Sequence, residues 1–249
     1  MKQALILILF LSGSAFVFAL GFSASANALG GLSLLSDSVA DANISPVSLA
    51  TGLNSYYYRP FNTPGIAIYG INSAISRKFL HIALGNSYLY HKDYTRHNPY
   101  LNINVQYSGL CLGGTGHLLY DSIQDRDGEY EYCYDLGMAY RLDRYAAELK
   151  ALRIGSEDKQ YSFSLRHSLT QDVNAALAYV MQDEFADYLL AGIKTDISDH
   201  ISLTASWQNK PSRFGSGLTV GLDRLSISYS IRTHPELNYS HAFGLELAW

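Results

Sequence analysis

The sequence predicts an all-β protein, a closed antiparallel transmembrane β-barrel of about fourteen strands preceded by a short N-terminal helical or plug segment. Three observations carry this expectation. From Leu53 onward apolar residues recur at every second position, which puts one set of side chains on each face of a strand. The connections between the alternating stretches are by turns tight and wide, as in barrels with short periplasmic turns and longer external loops. Charged residues make up only 16% of the chain although 48% is hydrophobic, against roughly 25% charged in an ordinary soluble domain, so part of the surface meets something other than water.

The elements follow in chain order. Lys2, the apolar run Ala4 to Leu11 and the small residues Ser12 to Ala15 have the charged, apolar and small-residue regions of a secretory signal. Residues 1–15 are therefore expected to be an export signal, cut after Ala15, with Ala19 and Ala26 as rival sites. A membrane anchor reaching Leu20 would be about 17 residues long, marginal for a spanning helix. Residues 16–52 form an N-terminal periplasmic or lumenal segment, in which Gly30-Gly31 permits close backbone approach and Ser45-Pro46 marks a break. Residues 53–249 form the barrel.

Turn signals divide the barrel into strands near 53–60, 65–75, 78–90, 99–108, 110–121, 130–142, 145–154, 160–169, 172–182, 187–197, 200–209, 214–222, 225–232 and 237–249. Each is roughly ten residues, the length a tilted strand needs to cross a bilayer. The clearest alternation is Tyr130, Tyr132, Tyr134, Leu136, Met138, Tyr140 and Leu142 against Glu131, Cys133, Asp135, Gly137, Ala139 and Arg141. Tight links fall at Ser76-Arg77, Ser108-Gly109, Asp143-Arg144, Thr170-Gln171, Ser198-Asp199 and Asp223-Arg224. Wider ones fall at 91–98, 122–129, 155–159, 209–213 and 233–236. An even strand number brings both termini to the short-turn side, the periplasm.

A soluble β-sandwich or lipocalin-like barrel also alternates, but it needs a charged exterior. Here the non-apolar face is mostly Ser, Thr, Asn, Gly and Ala with isolated charges, which suits a wet or crowded lumen. The residues expected to face that lumen are His81, Asn102, Asn104, Gln106, His117, Glu131, Asp135, Arg141, Arg166, Lys194 and Arg232. Tyr56 to Tyr58, Tyr88, Tyr90, Tyr130, Tyr188 and Tyr239 lie toward strand ends, where aromatic girdles meet the membrane interfaces.

The last stretch, Phe243-Gly244-Leu245-Glu246-Leu247-Ala248-Trp249, resembles the C-terminal insertion signal of outer-membrane barrels, which implies the barrel-assembly machinery as a partner through the strand ending at Trp249. Ala28-Leu29-Gly30-Gly31, the acidic stretch Ser36 to Ala42, and Ser45-Pro46-Val47-Ser48-Leu49 resemble the opening of mature PorV/PorQ-like proteins, which belong with the FadL-like barrels. Ser45 and Ser48 stand where that pattern has Asn and Gly. The resemblance implies fourteen strands, an outer-membrane location, and a small helical segment tucked into or under the barrel.

Candidate chemistry is sparse. The neighbours His167-Ser168 and Ser240-His241 point to opposite faces of a strand and cannot form a relay by themselves, and no Gly-x-Ser-x-Gly elbow occurs, so no enzyme activity is expected. The eight histidines lack His-Glu-x-x-His spacing, and neither a metal nor a cofactor is expected. His91, His97 and His234 are expected in loops. Cys111 and Cys133 share the inward parity, but Cys111 should pair near Arg141, which leaves both as free thiols. Asp125 to Glu129 lacks the twelve-position ligand series of a calcium loop. A net charge of −4 without a Lys/Arg cluster argues against nucleic acid as a partner.

The function expected is transport of small, conceivably hydrophobic, molecules across the outer membrane, with outer-membrane lipid as the surrounding partner. A secretion-system or surface-attachment barrel that docks a protein, and a membrane-embedded lipid hydrolase, are the alternatives. The inward sets show few large apolar residues beyond Leu89 and Val180, and a lumen this small and neutral specifies no solute.

Overall fold

The computed structural model describes residues 23–124, 128–183 and 185–249. The expected export signal with Ala15 and Ala19, and the turn Asp125 to Asp127, lie outside the described residues. Fourteen antiparallel strands close into a barrel in which each pairs with its sequence neighbours and β1 pairs with β14. They are β1 (Gly52–Arg59), β2 (Ala67–Arg77), β3 (Leu80–His91), β4 (Tyr94–Tyr107), β5 (Leu110–Ile123), β6 (Glu129–Arg141) and β7 (Tyr145–Ile154). Then follow β8 (Gln160–Ser168), β9 (Val173–Gln182), β10 (Tyr188–Ser198), β11 (Ile201–Asn209), β12 (Ser212–Leu222), β13 (Leu225–Arg232) and β14 (Ser240–Ala248). Closure leaves no unpaired sheet edge, the condition for a sheet to stand in hydrocarbon.

Alternation dictates the two faces. On β4, Leu101, Ile103, Val105 and Tyr107 are exposed while Asn102 and Asn104 are buried. The same division runs round the wall, so the outer surface carries an unbroken belt that includes Ile71, Leu84, Leu136, Leu149, Leu177 and Leu203. Exposed tyrosines frame the belt: Tyr107, Tyr140 and Tyr145 toward the end where β1 begins and β14 finishes, the termini end of the barrel strands, and Tyr69, Tyr90 and Tyr130 toward the other. Tyr56, Tyr58 and Tyr188 do not belong to this girdle. Tyr56 and Tyr58 are buried in the bore and Tyr188 lines a cavity there, because their parity, not their nearness to a strand end, decides the face.

The links at the termini end are short. Ser108 and Gly109 both have positive φ, +46° and +85°, the twist that matches a two-residue hairpin to its strands. The opposite end is less uniform than the sequence predicts. Lys92-Asp93 and Lys210-Pro211 are two-residue links where residues 91–98 and 209–213 were expected to be wide loops. Tyr94 to Asn98 continue β4 in register with β3 from His91↔Tyr94 onward. Arg96 on that extension makes a two-pronged ion pair with Asp121 of β5, and Tyr94 donates to the same carboxylate at 2.6 Å, so polar residues that resemble a loop in sequence are strand. His97 accordingly lies on β4, its ring 4.5 Å from that of Tyr88.

Residues 23–51 enter the bore. Helix α1 (Ala24–Leu29) is followed by 3-10 turns at Ser33–Leu35 and Val39–Asn43. Ser23 caps α1 by accepting from the Ala26 N–H at 3.0 Å, and Gly30 ends it at φ +66°, a left-handed conformation that costs glycine little. Ala26, a candidate cleavage position, is buried within this helix. Small residues on the wall make room. A Cβ on Gly215 would stand 2.1 Å from the Ala28 carbonyl oxygen, and one on Gly113 would stand 1.9 Å from that of Pro46.

Candidate functional site

The bore is a polar interface between the inserted segment and the inner wall. Main-chain carbonyls of a loop buried in a barrel need donors, since an unpaired buried polar group costs about 1–3 kcal/mol. The wall supplies them. Asn102 donates to the Pro46 carbonyl (3.0 Å), Asn104 to Ser48 (2.6 Å), Arg141 to Val47 (2.9 Å) and Ser206 to Ala28 (2.5 Å). His81 Nε2 lies 2.9 Å from the Ala50 carbonyl oxygen. Asn27 of α1 donates in turn to Ser230 of β13 (2.9 Å).

The deepest anchor is ionic. Glu148 of β7 is 1% exposed and accepts from Ser33 and Ser45, both at 2.6 Å, while Lys150 lies 3.5 Å from it and donates to Ser33 at 2.9 Å. One buried carboxylate thus ties two distant points of the inserted segment to one strand. Neither residue was singled out in the sequence, although Ala146, Glu148 and Lys150 alternate with Tyr145, Ala147 and Leu149 and so have the inward parity.

Of the residues expected in the lumen, His81, Asn102, Asn104 and Arg141 come together beneath residues 46–50. His117 and Asp135 form a second group: His117 Nε2 lies 3.0 Å from Asp135 and its Nδ1 lies 3.2 Å from the Asn98 side-chain oxygen. Asp135 also accepts from the Arg153 N–H at 2.7 Å, where β6 and β7 shift register and Arg153 has φ +58°. That carboxylate holds the bulge. Lys194 pairs with Asp37 at 2.6 Å near the termini end, and Arg232 donates to Gln208 at 2.6 Å. Gln106 has the inward parity but stands exposed near the termini rim, while Arg166 and Glu131 are half-buried and join neither group.

Two cavities in the bore border the inserted segment on its two sides. The one toward the loop end has a volume of about 360 Å³, floored by Asn27, Gly30, Gly31, Asn43 and Ile44. The one toward the termini end, about 200 Å³, is bounded by Ser23, Ala24 and Leu29 and by serines and threonines of β11 to β13. Helix α1 therefore stands between them. The loop-side cavity corrects the expectation of a small, neutral lumen: Leu119, Leu152, Val180, Leu190, Tyr58 and Tyr188 line it together with Arg213 and Arg232. Leu119 and Leu190 are 1% and 2% exposed; their inward parity was legible, but each sits in a stretch whose two faces are both apolar.

Cys111 faces Ala139 across the β5–β6 ladder and Cys133 faces His117; both thiols are free and buried. His167 stacks on Tyr145 at 4.6 Å while Ser168 donates to Asn174. His241 Nδ1 lies 2.6 Å from the Tyr229 hydroxyl on the outside, whereas Ser240 accepts from the Phe61 N–H within. Each His–Ser pair is split by the wall. Among the described residues, no three His, Cys, Asp or Glu side chains are grouped to hold a metal ion.

No protein-family model matches the chain, and no curated protein sequence matches it. Solved structures do share its architecture. The monoaromatic hydrocarbon channel TodX, in a deltaS2S3 mutant form, superposes with a TM-score of 0.67 at 9% identity over 92% of this chain and 99% of its own. The monoaromatic hydrocarbon channel CymD does so with a TM-score of 0.63 at 9% identity over 93% of this chain and 98% of its own. At such identities the likeness is one of fold: the closed fourteen-strand barrel of this chain is similar in architecture to those channels.

Proposed function

We propose that this chain is a bacterial outer-membrane channel for small molecules, with the inserted segment as its plug. The observation that carries the reading is the inversion of faces: a closed barrel whose outer belt is apolar and tyrosine-framed while its bore is lined by Asn, Ser, His and paired charges. In water that surface would aggregate; in a bilayer it is the wetted face. The start of β1 and the end of β14 lie at one end, where the links are uniformly short, the periplasmic side of such a barrel. β14, followed by Trp249, closes the barrel against β1 and β13, and it is the segment we propose is read by the assembly machinery. The barrel is a conduit and not an enzyme in this reading. The fold shared with hydrocarbon channels supports it.

Measurements on the membrane and on flux test it. The protein extracted from membranes should run anomalously on gels until boiled, and Leu177→Arg, in the middle of the belt, should cost about 2–4 kcal/mol of stability in vesicles; fractionation with the soluble phase would overturn the membrane reading. In liposomes the intact barrel should pass small solutes slowly, and deletion of residues 23–51 should raise that flux. The PorV/PorQ resemblance adds a second reading, a barrel that docks a protein partner. The many bonds that seat residues 23–51 favour it, and co-purification of a secreted protein with an intact barrel that shows no flux would select it.

A further inference from the structure

The wall of the termini-side cavity carries hydroxyl groups that the plug does not engage, and strand register sets them side by side. Ser202 of β11, Thr219 of β12 and Ser228 of β13 are successive cross-strand partners, and the last two hydroxyls lie 2.9 Å apart. Thr204 faces Lys194 of β10 on one flank, and Ser226 faces Glu246 of β14 on the other. Directly opposed residues have Cβ atoms about 4.5–5.5 Å apart, so these side chains form one continuous inward patch. Ser202, Thr204 and Ser226 are half-buried, line the cavity, and make no side-chain hydrogen bond among the described residues. The charges beside them are already settled. Lys194 gives one of its three ammonium donors to Asp37 at 2.6 Å. Glu246 Oε2 accepts from Ser38 (2.8 Å), the Val39 N–H (3.1 Å) and Asn54 (3.0 Å), while Oε1 bonds to none of the described residues. Facing this wall, the plug turns Ala24, Leu29 and Leu35 to the space.

We infer that the termini-side cavity binds a small neutral polyol, with the solute's hydroxyls on Ser202, Thr204, Ser226 and Glu246 Oε1 and its C–H face against Ala24, Leu29 and Leu35. A serine or threonine hydroxyl both donates and accepts, so a row of them matches a chain of vicinal hydroxyls, each of which does the same. A hydrocarbon would leave the row without partners, which costs free energy for every polar group it dehydrates. An ion meets no unpaired opposite charge, because Lys194 and Glu246 are each engaged by the plug. The volume of about 200 Å³, the room of about seven waters, is below the range of drug-sized pockets and suits a polyol of about four carbons. Such a solute reproduces the bonds of the waters it displaces, which is the condition for displacement without loss. This inference rests on the channel reading, for which it names a solute class at the periplasmic end.

The test is saturation-transfer NMR on the purified full chain in deuterated detergent, with erythritol, 1-butanol and glycine betaine as probes. Butanol has the carbon chain of erythritol and a single hydroxyl; betaine is similar in size, neutral overall and has none. Erythritol should bind about tenfold tighter than either, the yield of one or two further hydrogen bonds. The double variant Thr204→Val, Ser226→Ala should weaken erythritol about fivefold and leave hydrogen exchange over residues 33–50 unchanged. Ser162→Ala, in the loop-side cavity, should bind it as the parent does. Heat-modifiable migration of each variant establishes that the barrel is folded. Where the double variant fails that check, Ser202→Ala, with an expected loss of about threefold, decides the matter. Butanol or betaine binding as tight as erythritol, unchanged erythritol affinity in a folded wall variant, or an equal loss in Ser162→Ala would each overturn the inference. Liposome swelling separates it from the reading it rests on. Flux of betaine and erythritol alike, without erythritol binding, would sink the inference and leave the channel reading standing; erythritol binding without flux of any solute would do the reverse.

Discussion

The two cavities of the bore are built by the same wall and separated by one six-residue helix, yet they differ in character. Toward the loops the lining combines large apolar side chains with an excess of cations. Toward the termini it is a small, serine-rich space in which Asp37 and Glu246 face Lys194. Strand alternation specifies only that these positions point inward. What distinguishes the two ends is which strands the plug covers, because the plug takes up Glu148, Arg141 and Lys150 while Leu119, Val180 and Leu190 face the loop-side space. A barrel wall is thus a neutral grammar, and the inserted segment decides which of its charges remain available.

The comparison can be broken most severely at Glu148. Glu148→Ala removes the anion that ties Ser33 and Ser45 to β7 and leaves Lys150 buried beside an emptied site, a change worth about 3–5 kcal/mol. Hydrogen exchange over residues 33–47 should accelerate and solute flux should rise as the two cavities join; unchanged protection would mean the anchor is dispensable.

Next in size is a pH effect confined to the termini-side half. Burial, with smaller pushes from Glu246 and Asp37, lifts the Asp41 carboxyl of the plug to about 7, against an opposing hydrogen bond from Ser36. A carboxyl whose folded pKa is raised keeps its proton in the seated plug while the released chain gives it up. Seating is therefore firmest below about pH 4 and weakens as pH rises to about 7, by at most about 4 kcal/mol. Exchange of residues 36–44 should quicken over that window in the parent and hold level in Asp41→Asn. A parent profile flat with pH would show that the plug does not bury a protonated acid.

Gly113→Ala sharpens the comparison from the wall side. Its new methyl would overlap the Pro46 carbonyl, so the second half of the segment must shift at a cost of about 1–3 kcal/mol, read as faster exchange at residues 44–50 with α1 unaffected. The smallest effect belongs to the Lys194–Asp37 pair. Asp37 is largely exposed, and Asp37→Asn should change thermal stability by less than about 1 kcal/mol; a larger loss would make the termini-side cavity a structural element in its own right.

Much of this was legible in the residues. Tyr130 to Leu142 announces a strand and its two faces, and Cys111 lies two residues from the cross-strand position expected for it, pairing with Ala139 where Arg141 was anticipated. The misreadings have local causes. The polar run 91–98 suggested a loop, whereas Arg96 and Asp121 pair across β4 and β5 and extend both strands. Tyr58 and Tyr188 were assigned to the interface by their place near strand ends, and both turn into the bore. His81, Asn102 and Asn104 were expected to line a lumen. Their partners, the carbonyls of Ala50, Pro46 and Ser48, could not be read from the strands.

By itself, then, the sequence determined the barrel: a period of two is a local property, and each residue's face follows from counting along its own strand. Only the tertiary structure decided the site. Glu148 meets Ser33 and Ser45 across more than a hundred residues of chain, and Arg232 of β13 meets Gln208 of β11 only because β12 brings those strands side by side. Closing the ring and inserting residues 23–51 set which inward side chains are spent on holding the plug and which face open space. That partition is a property of three-dimensional proximity, for which no spacing along the chain is a proxy.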